Sequence, residues 1–144
     1  MARIYLSARW ERQQELRAVR NALLGYGYEV PCRWLEEVDD VATNRERAMA
    51  ARHCIEDISE AGLFVAFTEF ARRPERGGRW VELGIALEQG CRVILCGPRE
   101  ENIFHHLEEL EQVDTVAELL TLLRNPELES TLSGQDPKKG LVLV

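Results

Sequence analysis

Four short stretches of the chain hold residues able to do chemistry. The first is Tyr5-Leu6-Ser7-Ala8-Arg9-Trp10, and the second is Cys54-Ile55-Glu56-Asp57-Ile58. The third is Arg72-Arg73-Pro74-Glu75-Arg76-Gly77-Gly78-Arg79, which runs directly into the fourth, Trp80-Val81-Glu82-Leu83-Gly84-Ile85-Ala86-Leu87. Glu82 stands in the opening turns of an otherwise apolar helix. A carboxylate there is either a solvated helix-face residue or a nucleophile. Asp57 falls near the end of another helix, where the plain reading is a surface carboxylate or a C-terminal turn. Paired glycines before a helix let a backbone approach a ligand, and a helix N-terminus favours an anion. Arg72, Arg73, Arg76 and Arg79 around that N-terminus would suit a phosphate, although such a run is also stable as a solvated basic loop. The pattern is neither a Walker loop, because no Gly-Lys-Ser/Thr follows, nor the dinucleotide Gly-x-Gly-x-x-Gly signature.

The elements that must position these residues are legible as apolar runs and periodic stretches. Ile4-Tyr5-Leu6 reads as a short buried strand. Residues 10–24 read as a helix with Leu16, Val19, Ala22 and Leu23 on one face. Tyr28-Glu29-Val30 reads as a second strand stopped by Pro31, and residues 36–44 as an acidic loop. A helix is expected over 44–61 and a strand over Leu63–Phe67, whose unbroken apolar run suits a sheet buried on both faces. A third helix over 80–89, a strand over 92–96 and a C-terminal helix over 114–124 complete the pattern. Strands alternating with helices imply an α/β fold with a parallel sheet, whose ligands bind at the carboxyl ends of the strands near a topological switch point. Residues 1–124 are expected to form that domain and 125–144 a polar tail. Its end, Leu141-Val142-Leu143-Val144, is expected to dock on this chain or a neighbour, since apolar groups left in water cost ~0.8 kcal/mol per methylene.

Composition removes several classes of function. The chain has 144 residues, enough for one ordinary domain. Its formal charge is −7, which disfavours a protein that tracks a nucleic-acid polymer. All of the basic residues except Lys138 and Lys139 are Arg, so a local anionic ligand still fits. No apolar run approaches the ~20 residues of a membrane span, and the N-terminus carries no signal core. Cys32, Cys54, Cys91 and Cys96 show no zinc spacing and are expected as free structural thiols in a cytoplasmic protein. His105 and His106 are adjacent and share neither a helix face nor a strand face, so neither a metal nor a cofactor is expected.

Taken together, Ile4-Tyr5-Leu6-Ser7-Ala8-Arg9-Trp10, Ile55-Glu56-Asp57-Ile58, Val65-Ala66-Phe67 and Gly78-Arg79-Trp80-Val81-Glu82-Leu83-Gly84-Ile85-Ala86-Leu87 resemble the nucleoside 2-deoxyribosyltransferase family. That family includes the 2′-deoxynucleoside 5′-phosphate N-hydrolases. The likeness spans residues 3–120, and its most specific element is Glu82-Leu83-Gly84-Ile85-Ala86 after a glycine-containing loop. It implies a flavodoxin-like or Rossmann-like three-layer sandwich with a mainly parallel sheet of about five strands. It also implies cleavage of the N-glycosidic bond of 2′-deoxynucleosides or their 5′-monophosphates, with transfer to another base or to water. Glu82 would be the nucleophile and Tyr5 would orient it. Asp57 would protonate the leaving base or hydrogen-bond its ring. Ser7, Arg9, Trp10, Arg76, Gly77, Gly78 and Arg79 would contact the substrate, with Trp10 ahead of Trp34 and Trp80 as the stacking aromatic. The resemblance further implies a homodimer or higher homo-oligomer.

Two departures shape the expectation. Many members carry Asp where this chain has Gly62, and acidic residues are common where this loop has four Arg. A 5′-monophosphate is therefore expected over a free nucleoside. The alternative from another class is a non-catalytic nucleotide-binding protein using the same pocket. The joint presence of Tyr5, Asp57 and Glu82 favours the enzyme, because a sensor needs no nucleophile.

Overall fold

The computed structural model describes residues 2–38, 43–70 and 77–124. Four strands form one parallel sheet in the order β1 (Ile4–Ser7), β2 (Leu63–Phe67), β3 (Arg92–Cys96), β4 (Glu111–Val113). The register pairs Tyr5 with Phe64 and Ser7 with Ala66, and Phe64 in turn with Val93. Consecutive residues of β1 and β2 are all buried, so both faces of the sheet are covered, as an unbroken apolar run requires. The coverage comes from α1 (Gln13–Gly25) packed with α4 (Val116–Arg124), and from α2 (Asn44–Glu60) packed with α3 (Gly78–Glu88). Helix α1 buries Leu16, Val19 and Leu23, the expected stripe. Helix α2 starts at a capping box in which Thr43 and Glu46 satisfy each other's backbone N–H groups at 3.1 Å. Short 3-10 turns occupy Trp10–Arg12, Arg33–Glu36 and Ile103–His106.

The sheet thus has four strands where about five were expected. Tyr28-Glu29-Val30 does lie beside β1, but it makes a single parallel bridge between Arg3 and Glu29. The Ile4 N–H donates to the Glu29 carbonyl at 2.9 Å and the Glu29 N–H to the Ala2 carbonyl at 3.2 Å. Pro31 cannot donate to a ladder, so the pairing stops there. Strand β4 was not anticipated, because Glu111-Gln112-Val113 is a polar edge segment without an apolar run. The tail from residue 125, including Leu141–Val144, lies outside the described residues.

The carboxyl ends of the strands, where ligands bind in such sheets, are tied closely together. The Thr68 N–H donates to the Cys96 carbonyl at 3.1 Å, and the Gly97 N–H to the Val113 carbonyl at 2.9 Å. Gly97 sits at φ +123, and a Cβ placed there would lie 2.5 Å from Thr68 Oγ1 and 3.2 Å from its carbonyl oxygen. Both the backbone conformation and the close approach therefore require glycine. Gly97→Ala is expected to destabilise the fold by roughly 1–3 kcal/mol. A urea titration followed by circular dichroism checks this, and an unchanged midpoint would show that the crossing tolerates a side chain.

Candidate active site

Residues two apart on a strand point to the same face, so Tyr5 and Ser7 both face α3. They meet Glu82 there. The Tyr5 hydroxyl donates to Glu82 Oε2 at 2.6 Å, and the Ser7 hydroxyl donates to Oε1 at 2.7 Å. Each carboxylate oxygen is thus held by its own donor. Burial pushes the Glu82 carboxyl up, against the lowering effects of the Tyr5 and Ser7 hydrogen bonds and the Arg79 charge. Burial also pushes Tyr5 well up, reinforced by the Glu82 charge, so its hydroxyl stays a donor. Tyr5 is fully buried and stacks on Phe64, with ring centroids 5.6 Å apart. That stack fixes the ring and leaves its hydroxyl aimed at one place.

Helix α3 delivers Glu82. Gly77 is its N-cap in the left-handed region, at φ +84, which lets the loop turn sharply into the helix. Gly78 opens the helix, so Glu82 falls just beyond its first turn. Helix α2 adds Cys54, whose thiol is pushed up to about 12, by burial first and then by the Glu82 charge.

Asp57 lies one helical turn beyond Cys54 on α2 and is buried. It is bound by Arg33 rather than left open. The Arg33 backbone N–H donates to Asp57 Oδ2 at 2.9 Å, and Arg33 Nε donates to Oδ1 at 3.0 Å. Arg33 Nη2 stands 2.9 Å from Oδ1.

Other candidates are placed differently from one another. The buried Arg79 guanidinium grips Glu100 at 3.0 Å through each of two nitrogens. Glu100 also accepts the Glu69 N–H at 2.9 Å, and its own N–H donates to His105 Nδ1 at 2.9 Å. Burial raises the Glu100 carboxyl, but Arg79 and the Glu69 N–H bring it below its ordinary value overall. Burial likewise lowers His105, which fits a neutral ring accepting at Nδ1. Arg79 therefore braces the α3 N-terminus against the loop after β3. Arg9 pairs with Glu11 at 3.3 Å. Trp10 packs against Trp34 at 6.4 Å between ring centroids, and the Trp34 indole N–H donates to the Leu6 carbonyl at 2.9 Å. Trp80 lies under the Arg79 guanidinium. Arg72, Arg73 and Arg76 lie outside the described residues.

The sequence reading missed Cys54, Arg33 and Arg12. Cys54 had a usable signal, since it precedes Asp57 by one turn on the same face. Arg33 had none, and Arg12 showed only its i,i+3 pairing with Glu15, because the other partners are distant in sequence. Arg12 donates to the Thr68 carbonyl at 3.2 Å and Glu69 at 3.0 Å, joining the ends of β1 and β2.

Comparison with known proteins adds the fold's relatives. No protein-family model and no curated sequence matches the chain. Solved structures do match. The CMP N-glycosidase BcmB of Clostridium botulinum superposes with a TM-score of 0.59 at 21% identity, covering 84% of this chain and 97% of that one. A 2-deoxyribosyltransferase from Bacillus psychrosaccharolyticus gives a TM-score of 0.65 at 19% identity, over 83% and 90% of the two chains. A conserved protein from Enterococcus faecalis V583 gives 0.54 at 16% identity, over 86% and 98%. The chain therefore has the nucleoside deoxyribosyltransferase fold, the fold that the sequence resemblance implied.

The electrostatics of Glu82 generate a stability prediction. A carboxyl raised in the folded state favours folding below its unfolded value and loses that contribution as pH rises through the folded value. At neutral pH the buried Glu82 charge is then a cost to folding. Glu82→Gln should melt at or above the wild-type temperature at pH 8, with the difference shrinking as pH falls toward 4. Scanning calorimetry across that range checks it. A variant less stable at pH 8 than at pH 4, relative to wild type, would contradict the sign.

Proposed function

We propose that the protein cleaves the N-glycosidic bond of a 2′-deoxynucleoside or its 5′-monophosphate. The observation that carries this reading is the Glu82 carboxylate, one oxygen held by Tyr5 and the other by Ser7 on a covered sheet end. Such a group is desolvated and oriented, which is what attack on a sugar carbon needs. One Glu82 oxygen forms a bond to C1′ as the C1′–N bond breaks. The bond's electron pair leaves with the base, and positive character at C1′ is met by the carboxylate. The departed base takes up a proton; water or a second base then attacks C1′, gives up a proton in turn and releases the Glu82 carboxylate. Asp57, paired with Arg33, suits the role of hydrogen-bond acceptor to the leaving base better than that of proton donor. The neighbours' names, a CMP N-glycosidase and a 2-deoxyribosyltransferase, support bond cleavage and sugar transfer as the class.

For the 5′-phosphate the support is the α3 N-terminus at Gly77 and Gly78, with Arg76 next to it in the sequence. Arg79 is committed to Glu100, so it acts in this reading as a brace for that terminus. Assembly as a homo-oligomer is part of the proposal. Val81 on α3 and Met49 and Ile55 on α2 are exposed apolar residues on the two packed helices. The four free cysteines fit a reducing, cytoplasmic setting.

The test is release of free base from a panel of deoxynucleosides, ribonucleosides and their 5′-monophosphates. Wild type is expected to release base from at least one, with the monophosphate preferred. Glu82→Gln should lose roughly three powers of ten or more in kcat. The acidic limb of the wild-type kcat profile should lie above the ordinary carboxylate range, because Glu82 must be ionised to attack. Tight binding without release would instead indicate a nucleotide-binding protein. Undiminished turnover by Glu82→Gln would remove Glu82 from the mechanism.

A further inference from the structure

The segment Cys32–Glu37 forms a strap that crosses from β1 to α2. Its 3-10 turn, Arg33–Glu36, is latched from α1. Gln13 Nε2 donates to the Trp34 carbonyl at 2.7 Å and to the Glu37 carbonyl at 2.8 Å. Arg17 donates to the Leu35 carbonyl at 2.5 Å and to the Glu37 carbonyl at 3.2 Å. From β1 the Leu6 carbonyl accepts both the Trp34 indole N–H and the Cys32 thiol. These bonds fix the strap's height over the sheet end, and the strap carries Arg33 to Asp57.

We propose that Arg33 is the positioning residue of Asp57, holding that carboxylate in one orientation so that its remaining acceptor site meets the leaving base. This rests on the reaction proposed above. The Arg33 backbone N–H takes Oδ2, and its Nε takes Oδ1 at 3.0 Å while reaching Oδ2 at 3.3 Å, so rotation of the carboxylate would break these contacts and part it from the guanidinium charge at Nη2. Arg33 Nη2 also donates to Glu56 at 2.9 Å, and to the His53 carbonyl at 3.4 Å, which locks the guanidinium itself. The pair is asymmetric. The Asp57 side chain is 8% exposed and the Arg33 side chain 47%, so solvent reaches the guanidinium but not the carboxylate. Among the described residues, the charged and titratable groups linked to this pair are Cys32, which precedes Arg33 on the strap, and Glu56, which shares the guanidinium. Arg33 contributes the cation in this set. A planar fork is suited to the task because it fixes orientation as well as charge.

The test is a double-mutant cycle with chemical rescue, reading kcat and KM on whichever panel substrate the wild type turns over. Arg33→Ala should lower kcat roughly tenfold or more, the loss expected for charge-assisted hydrogen bonds, with a smaller change in KM. Millimolar guanidinium should restore kcat severalfold in Arg33→Ala, because the vacated place opens to solvent. Arg33→Lys, which keeps charge but not the fork, should fall between wild type and Arg33→Ala. In Asp57→Asn the further change Arg33→Ala should cost little, and guanidinium should restore nothing. Should Arg33→Ala not fold, Arg33→Lys and the double variant, which buries no unpaired carboxylate, carry the comparison. Wild-type kcat in Arg33→Ala or Arg33→Lys, or losses that simply add in the double variant, would overturn the inference while leaving the reaction intact. An inactive wild type across the whole panel would overturn the parent reading, and this inference with it.

Discussion

The arrangement depends on holding one half-buried carboxylate largely out of water. Glu82 sits at a covered sheet end, where burial opposes its charge. Charged groups survive there only when their lone pairs are met. The two hydroxyls of β1 do that, and they do it from residues two apart, so a single strand supplies both donors. The rest of the site follows from this requirement. Tyr5 must be buried to reach Glu82, so its ring becomes part of the core and stacks on Phe64. Helix α3 must begin close to the ends of β2 and β3, which Arg79 secures by its grip on Glu100.

A second arrangement stands on α2, the helix packed against α3. Asp57 is buried on α2 and is compensated from the strap by Arg33. The two carboxylates therefore have different surroundings. Glu82 is held by neutral hydroxyls and is raised, which suits a nucleophile that gains from losing its charge to a covalent bond. Asp57 has a guanidinium partner and a backbone N–H donor, both from Arg33. Neutral donors and a cationic donor thus divide the work of two like side chains.

Much of this was legible in the sequence, for reasons that can be traced residue by residue. Leu63–Phe67 and Arg92–Cys96 announce themselves as apolar runs because both sheet faces are covered. Glu82 is conspicuous because its helix is otherwise apolar. Tyr5 and Ser7 are conspicuous because they end the first strand. The edges of the sheet were harder to read. Tyr28–Val30 looks like a strand but reaches only one bridge, while Glu111–Val113 looks like a loop but pairs with β3. Edge strands carry little apolar signal, so composition misjudges them. The ion pairs were invisible for another reason. Arg33 with Asp57 and Arg79 with Glu100 join residues more than twenty positions apart, and only the fold determines which arginine meets which acid. Arg79 in particular stands beside the glycine pair in sequence, and only the fold shows that it grips Glu100.

The central claim is that Glu82 forms a bond to the sugar. It is tested most directly by intact-protein mass spectrometry of the enzyme quenched during turnover, or treated with a 2′-fluoro nucleoside substrate that slows release of the intermediate. The account predicts a mass gain equal to the glycosyl group, absent in Glu82→Gln, and located by peptide mapping on Glu82. Steady turnover with no adduct under any quench, or an adduct located on another residue, would contradict it.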